Sequence, residues 1–384
     1  MLFRSGEPPP RVQLYALMVE LGKGNAEEAF ERYDQLEGEI PTRPDADWWF
    51  ALSRLSSRLM AAEKYRKALE VLPHEAETAL DKKTRTQAEL RRIDCLIALQ
   101  ETELAINALT AFRDTYPDSP HVVPVFFKLA QLLRNTGNPL SAAEYFQKVL
   151  NAENVSPERR YEAAYQRAWC FSDADDHRSA REAFSAAARL GRTDKQQAEA
   201  FLLAGDAAFH LAEYTKAALS YQAIADNFSG TPFAETARFR QGRARFKAEL
   251  YGNAALVYGQ FLEEFPESDS RETAWLERGI ALKRAGESEK AITTLTEFAA
   301  AFPDSERRLR ALLEAGLTAA VLQDVDRAVK LLTQVIEEAD DGPDLAHALY
   351  QRSRVRFATA RYEDAIRDAW TFIERYGHLP MAAD

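Results

Sequence analysis

The chain has 384 residues, of which 28% are charged, and a formal net charge of −11. That acidic balance works against non-specific binding to nucleic acid or to anionic membranes. No stretch approaches the roughly 18 consecutive apolar residues of a membrane span, and Met1 to Pro10 lacks the apolar run of a secretory signal.

Taken in chain order, the sequence reads as one helical unit copied many times, which predicts one elongated all-α array. Residues 1–85 hold two degenerate copies. Ala29 is followed by Tyr33, Leu36 and Pro41, and Ala68 by an interrupting Pro73. Asp45 to Trp49 reads as a helix start. From there alanines stand at 105, 142, 180, 217, 254, 291, 328 and 365, spaced by 37 residues except for one gap of 38. A fixed period in this range marks a supersecondary unit that buries its apolar face only against its neighbours. Eight clear units are predicted, at 86–122, 123–160, 161–197, 198–234, 235–271, 272–308, 309–345 and 346–382, with Ala383 opening a further one.

Each unit reads as two antiparallel helices. Four and seven residues after each alanine come large or apolar residues, such as Tyr258 and Phe261 after Ala254, a spacing that marks one helix face. Twelve residues before it stand Ile93, Ala130, Ala168, Gly205, Gly242, Gly279, Gly316 and Ser353, small in all but the first. A small residue there is expected to face the alanine and let the two backbones approach. Segments such as Gly137-Asn138-Pro139 predict a glycine stop, an asparagine cap and a proline in the next first turn. Strings such as Tyr116-Pro117-Asp118-Ser119, Phe265-Pro266-Glu267-Ser268 and Phe302-Pro303-Asp304-Ser305 end one helix at proline and start the next at Asp or Ser.

Small at position 8, Ala at 20, aromatic at 24 and Pro at 32 resembles the tetratricopeptide repeat, with a period three residues longer than the usual 34. The resemblance implies an α-solenoid, a tetratricopeptide superhelix whose first helices line a concave groove through positions 2, 5, 9, 12 and 13. Carried over to this sequence, the groove holds Phe127 and Arg134 in one unit, Tyr165 and Trp169 in the next, then Asp206 and Phe209. Phe239, Arg243, Phe246 and Lys247 follow, then Lys283 and Arg284, and finally Tyr350, Arg354 and Phe357. Aromatics and arginines are enriched at binding hot spots, and the alternative for the position 5 aromatics Phe127, Tyr165 and Phe239 is packing against the adjacent repeat. Arg243, Lys247, Lys283 and Arg284 form a basic patch suited to an acidic peptide or a terminal carboxylate. Position 9 never carries Asn and position 5 never Lys, which departs from the chaperone-docking members of the family.

Catalytic signatures are missing from the sequence. It has no glycine-rich phosphate loop and no nucleophile elbow. The six histidines lie apart without i, i+4 pairing, and Cys95 and Cys170 sit in a small-residue register two repeats apart, too far for a disulfide. No enzyme activity, metal or cofactor is expected. The closures and long repeats resemble tetratricopeptide proteins of the bacterial cell envelope, of the outer-membrane-assembly lipoprotein and Tol-Pal-associated coordinator types. That likeness implies a scaffold for protein or peptide segments, periplasmic if a signal precedes this sequence and otherwise cytoplasmic. The alternative is a regulatory or targeting arm of a larger cytoplasmic enzyme or transcriptional regulator. Leu2-Phe3-Arg4-Ser5 fits no repeat and no polar cap closes the other end, so a fragment is expected, with self-association through uncapped ends.

Overall fold

The computed structural model describes residues 10–36, 46–72 and 81–380. Pro41, Asp45, Pro73 and Ala383 lie outside the described residues. Twenty helices and no strand occur among those described. They fall into two units, Met1–Ala174 and Asp175–Asp384. The first holds α1 (Pro10–Lys23), α2 (Ala26–Asp34), α3 (Ala46–Ala61), α4 (Tyr65–Val71), α5 (Lys82–Ala98), α6 (Thr102–Thr115), α7 (Val122–Asn135), α8 (Pro139–Asn151) and α9 (Pro157–Asp173). The second opens with α10 (His177–Leu190), α11 (Asp194–His210), α12 (Tyr214–Asn227), α13 (Ala234–Lys247), α14 (Tyr251–Glu264) and α15 (Arg271–Arg284). It continues through α16 (Ser288–Ala301), α17 (Arg308–Val321), α18 (Val325–Glu338), α19 (Pro343–Ala358) and α20 (Tyr362–Tyr376). This is the α-solenoid that the sequence period implies.

The period is conformational as well as chemical. A residue in the left-handed region stands five positions before each anchoring alanine, from Gly24 before Ala29 to Ala360 before Ala365. At Gly137 the turn closes through Gly137 N–H to Arg134 O and Asn138 N–H to Leu133 O, at 3.1 and 2.9 Å. The same pair of bonds recurs around Ala212 and Gly286. This is a Schellman closure, which satisfies carbonyls that a helix end leaves without partners. Asn138 sits at the N-cap of α8 but makes no side-chain cap bond, whereas Pro139 does occupy the first turn. The asparagine's amide instead reaches back to Thr136 O.

The alanines at 105, 142, 180, 217, 254, 291 and 328 are fully buried. So are the apolar residues seven positions after them, from Phe112 to Val335. The packing shows a large neighbour at position 8. A methyl group on Gly242 would lie 2.7 Å from Cε1 of Tyr258, and one on Gly205 2.6 Å from Cε1 of Tyr221. The missing side chain therefore makes room for the large residue at position 24, sixteen residues later. Interiors packed to crystal density leave no slack for both.

The closing serines act differently from simple caps. Ser268 Oγ accepts from Ser270 N–H at 3.0 Å and donates to Glu235 Oε1 at 2.5 Å. Ser305 likewise accepts from Arg307 N–H and donates to Glu272 Oε2 at 2.8 Å. Each serine thus ties the start of one pair to the first helix of the pair before it. Buried Arg238 adds a second tie, bonding Glu264 at 2.9 and 3.0 Å and Asp226 at 3.2 Å.

Candidate interaction site

The residues expected to line a groove separate into buried, self-paired and available groups. Phe127 is a correction: it is 3% exposed and packs edge-on against Phe146 at 5.3 Å, so it belongs to the core. Position 5 lies close enough to the helix interface for an aromatic ring to turn inward. In the first unit Arg134 pairs with Asp173 at 2.6 Å, bonds Gln166 at 2.7 Å and lies 5.9 Å over the Trp169 ring. Tyr165 meets the same tryptophan edge-on at 6.3 Å. Arg134, Tyr165 and Trp169 are brought together, as a half-buried cluster on α7 and α9.

In the second unit Asp206 is self-paired. Its Oδ1 accepts from the Tyr221 hydroxyl at 2.7 Å and its Oδ2 pairs closely with Arg240. These residues line a cavity of about 280 Å³ with Phe209, His210 and Arg243. Burial raises the Tyr221 phenol above its ordinary value, and the Asp206 carboxylate adds to the effect.

One repeat later lies a larger cavity. A cavity of about 390 Å³ is lined by Phe239, Arg243, Phe246, Lys247, Tyr258, Thr273 and Glu277. Helix α13 supplies the first four because positions 5, 9, 12 and 13 share one helix face. Arg243 and Lys247 are exposed and form no ion pair among the described residues. The Arg243 guanidinium lies 5.9 Å from the Phe209 ring. Phe246 meets Tyr251 edge-on at 5.1 Å, and Phe239 packs on Tyr258 and Phe261. Tyr258 is fully buried, and its hydroxyl has no hydrogen-bond partner among the described residues. Burial holds the Glu277 carboxyl above the usual carboxylate value, and Arg243, Arg310, Arg307 and Lys247 pull it partly back.

The expected four-cation patch is smaller than the sequence suggests. Lys283 is ion-paired with Glu314 at 2.7 Å, and neither it nor exposed Arg284 reaches this cavity. Tyr350, Arg354 and Phe357 form a separate, largely apolar cavity of about 710 Å³ with Ile366, Ala369 and Ile373 of α20. Phe357 is 66% exposed there.

Tyr258 and Glu277 were not legible as site residues, whereas Thr273 stands at position 2, one of the positions the resemblance carries over. Tyr258 falls in the core register and Glu277 at position 6, outside the positions carried over from the family. One signal was present: Asp206 and Arg240 become Arg243 and Glu277 after 37 residues, an inversion of charge in the same register. The cysteines are free and buried, with both thiols pushed up to about 11 chiefly by burial. No helix among the described residues is long and apolar enough to cross a membrane.

A family model described as Tetratricopeptide repeat matches residues 127–194, 165–232, 239–306 and 276–343, more than half of the chain. A second model of the same description matches residues 87–119. The chain belongs to the tetratricopeptide repeat family. Among solved structures, the Naa15/Naa10 complex bound to HypK-THB aligns with 13% identity and a TM-score of 0.50, over 96% of this chain and 59% of that one. The apo form of RapI aligns with 14% identity and a TM-score of 0.44, over 95% and 98%. A tetratricopeptide repeat protein from Parabacteroides merdae aligns with 13% identity and a TM-score of 0.37, over 70% and 98%. At such identities the first of these speaks to the fold alone. No curated protein matches the sequence.

Proposed function

We propose that this tetratricopeptide repeat protein is a non-catalytic scaffold that binds segments of partner proteins along its first helices. The observation that carries the reading is the cavity bounded by α13 and α15, where Arg243 and Lys247 stand exposed without ion-pair partners among the described residues, beside the half-buried Phe239 and Phe246. Unspent cations beside aromatic rings suit a partner side chain better than they suit the fold. The cluster of Arg134, Tyr165 and Trp169 supports a second contact region in the first unit.

The aromatic-Pro-acid-Ser closures support a narrower role in bacterial envelope assembly or maintenance. Recovery of the protein only from cytoplasmic fractions would favour the targeting-arm alternative. On the last described hairpin, exposed Phe357, Ile366, Trp370 and Ile373 support self-association there. The scaffold reading is tested by placing the photo-crosslinker p-benzoylphenylalanine at Lys247 on α13, or at Leu256, which is 63% exposed on the second helix α14. Partner adducts are expected from position 247. Adducts from 256 alone would refute a first-helix site.

A further inference from the structure

The two neighbouring cavities of the second unit share a register and differ in what completes them. In the first, a buried tyrosine hydroxyl is satisfied by a carboxylate, since Tyr221 donates to Asp206 Oδ1 at 2.7 Å, and Arg240 neutralises that carboxylate. Thirty-seven residues on, Tyr258 stands where Tyr221 stood and is equally buried. The position of Asp206 is now Arg243, and although the Glu277 carboxyl is close enough to act on the phenol, no carboxylate among the described residues bonds that hydroxyl. A buried hydroxyl without a partner is costly, and native proteins rarely leave one.

The surrounding charge favours an anion. The charged residues that line the cavity are Arg243 and Lys247 against the one carboxyl of Glu277, a cationic excess in the lining. Phe239 and Phe246 supply apolar walls for the methylenes of a side chain. Arg243 is exposed and lines both cavities, and a guanidinium binds carboxylate through parallel N–H bonds.

We propose that the cavity between α13 and α15 binds an aspartate or glutamate side chain of a partner protein, which accepts from the Tyr258 hydroxyl and pairs with Arg243. The bound carboxylate takes the role that Asp206 plays internally one repeat earlier. This inference rests on the scaffold reading and adds the chemistry of what the scaffold grips.

The test uses random 12-residue peptides displayed on phage, selected against the full chain. Selected sequences are then made as labelled peptides and titrated by fluorescence anisotropy into the native chain, Tyr258→Phe and Arg243→Gln. The first variant loses only a hydroxyl and the second only an exposed charge, and both are checked by circular dichroism. The expected result is an Asp or Glu at a fixed place in the selected peptides. Its change to Asn or Gln, and each protein variant, should weaken binding by about tenfold or more, the scale of a hydrogen bond to a charged group. Tyr221→Phe should leave binding unchanged. Peptides that bind without an acidic residue, or equally well to both variants, would overturn the carboxylate proposal and leave the scaffold reading standing. Failure to select any peptide on the native chain would count against both.

Discussion

The Tyr221 hydroxyl donates to Asp206 Oδ1 at 2.7 Å, whereas its counterpart one repeat later, Tyr258, is buried with no acceptor among the described residues. Removing the two hydroxyls should therefore have opposite effects. Tyr221→Phe breaks a bond to a charged group and should cost about 2 kcal/mol. Tyr258→Phe removes an unpaired buried polar group and should raise stability by about 1 kcal/mol. Urea unfolding of the two variants decides the matter, and a Tyr258→Phe loss as large as that of Tyr221→Phe would mean that the hydroxyl is already satisfied.

Gly242 is required by the ring it touches. In Gly242→Ala the new methyl group meets Cε1 of Tyr258 at 2.7 Å and also crowds Cδ1 and Cζ at 2.9 Å, so the buried ring must shift as a whole. Overpacking of this kind should destabilise the chain by about 1–3 kcal/mol. Gly252→Ala, where an added Cβ meets nothing within 4 Å, provides the control. Equal melting temperatures for the two variants would refute the packing argument.

The left-handed turns offer the reverse experiment. Ala212 and Ala360 hold φ of 57°, where a Cβ crowds the backbone, and glycine relieves that crowding. Ala212→Gly should stabilise by about 0.5–1 kcal/mol, after the entropy that glycine gains in the unfolded chain is set against it. Gly137→Ala, at φ 78°, should lose a similar amount. Matched denaturation curves on the two single variants would show whether the signs differ.

Asp368 is 4% exposed and accepts from both Arg352, at 2.9 and 2.7 Å, and Arg356, at 2.7 Å. Asp368→Ala leaves the guanidinium of Arg352, itself 9% exposed, without its counter-ion. Breaking a buried pair from one side costs about 3–5 kcal/mol. The expected outcome is early melting of the α19–α20 hairpin, read by hydrogen exchange of its amides. Unchanged protection there would contradict the network's role.

Glu277 gives a pH-dependent prediction. Burial raises its carboxyl above 4.5 in the folded chain, so the unfolded chain ionises first as pH rises. The stability associated with the protonated form is fully present below 4.5 and is lost as pH rises through the raised folded value. Glu277→Gln should therefore be more stable than the native chain at pH 7, with the gain fading as pH falls through the raised folded value and gone below 4.5. A gain that grows toward low pH would have the wrong sign.

Much of the fold was legible because burial in a solenoid repeats with the sequence. An alanine that must be small at 105 must be small at 328, and both are fully buried. The closing serines and Asn138 were misassigned because a polar residue near a helix start has several backbone and side-chain partners within reach, and spacing does not choose among them. Phe127 was placed on the open face because family positions fix a helix angle, whereas rotamer choice decides whether a ring turns into the core. Tyr258 was read only as packing. Its ring fills the space beside Gly242 and the residue lines a cavity, while its buried hydroxyl has no partner among the described residues, and no apolar pattern records the surroundings of a single oxygen.

The measurement that tests the central claim most directly is affinity capture of partners by the full chain, compared with an Arg243→Ala/Phe246→Ala/Lys247→Ala variant of unchanged helicity. If the first helices around α13 are the binding surface, proteins retained by the native chain should be lost from the variant by about tenfold or more, as expected for removal of a hot spot. Equal capture by both chains would contradict the account.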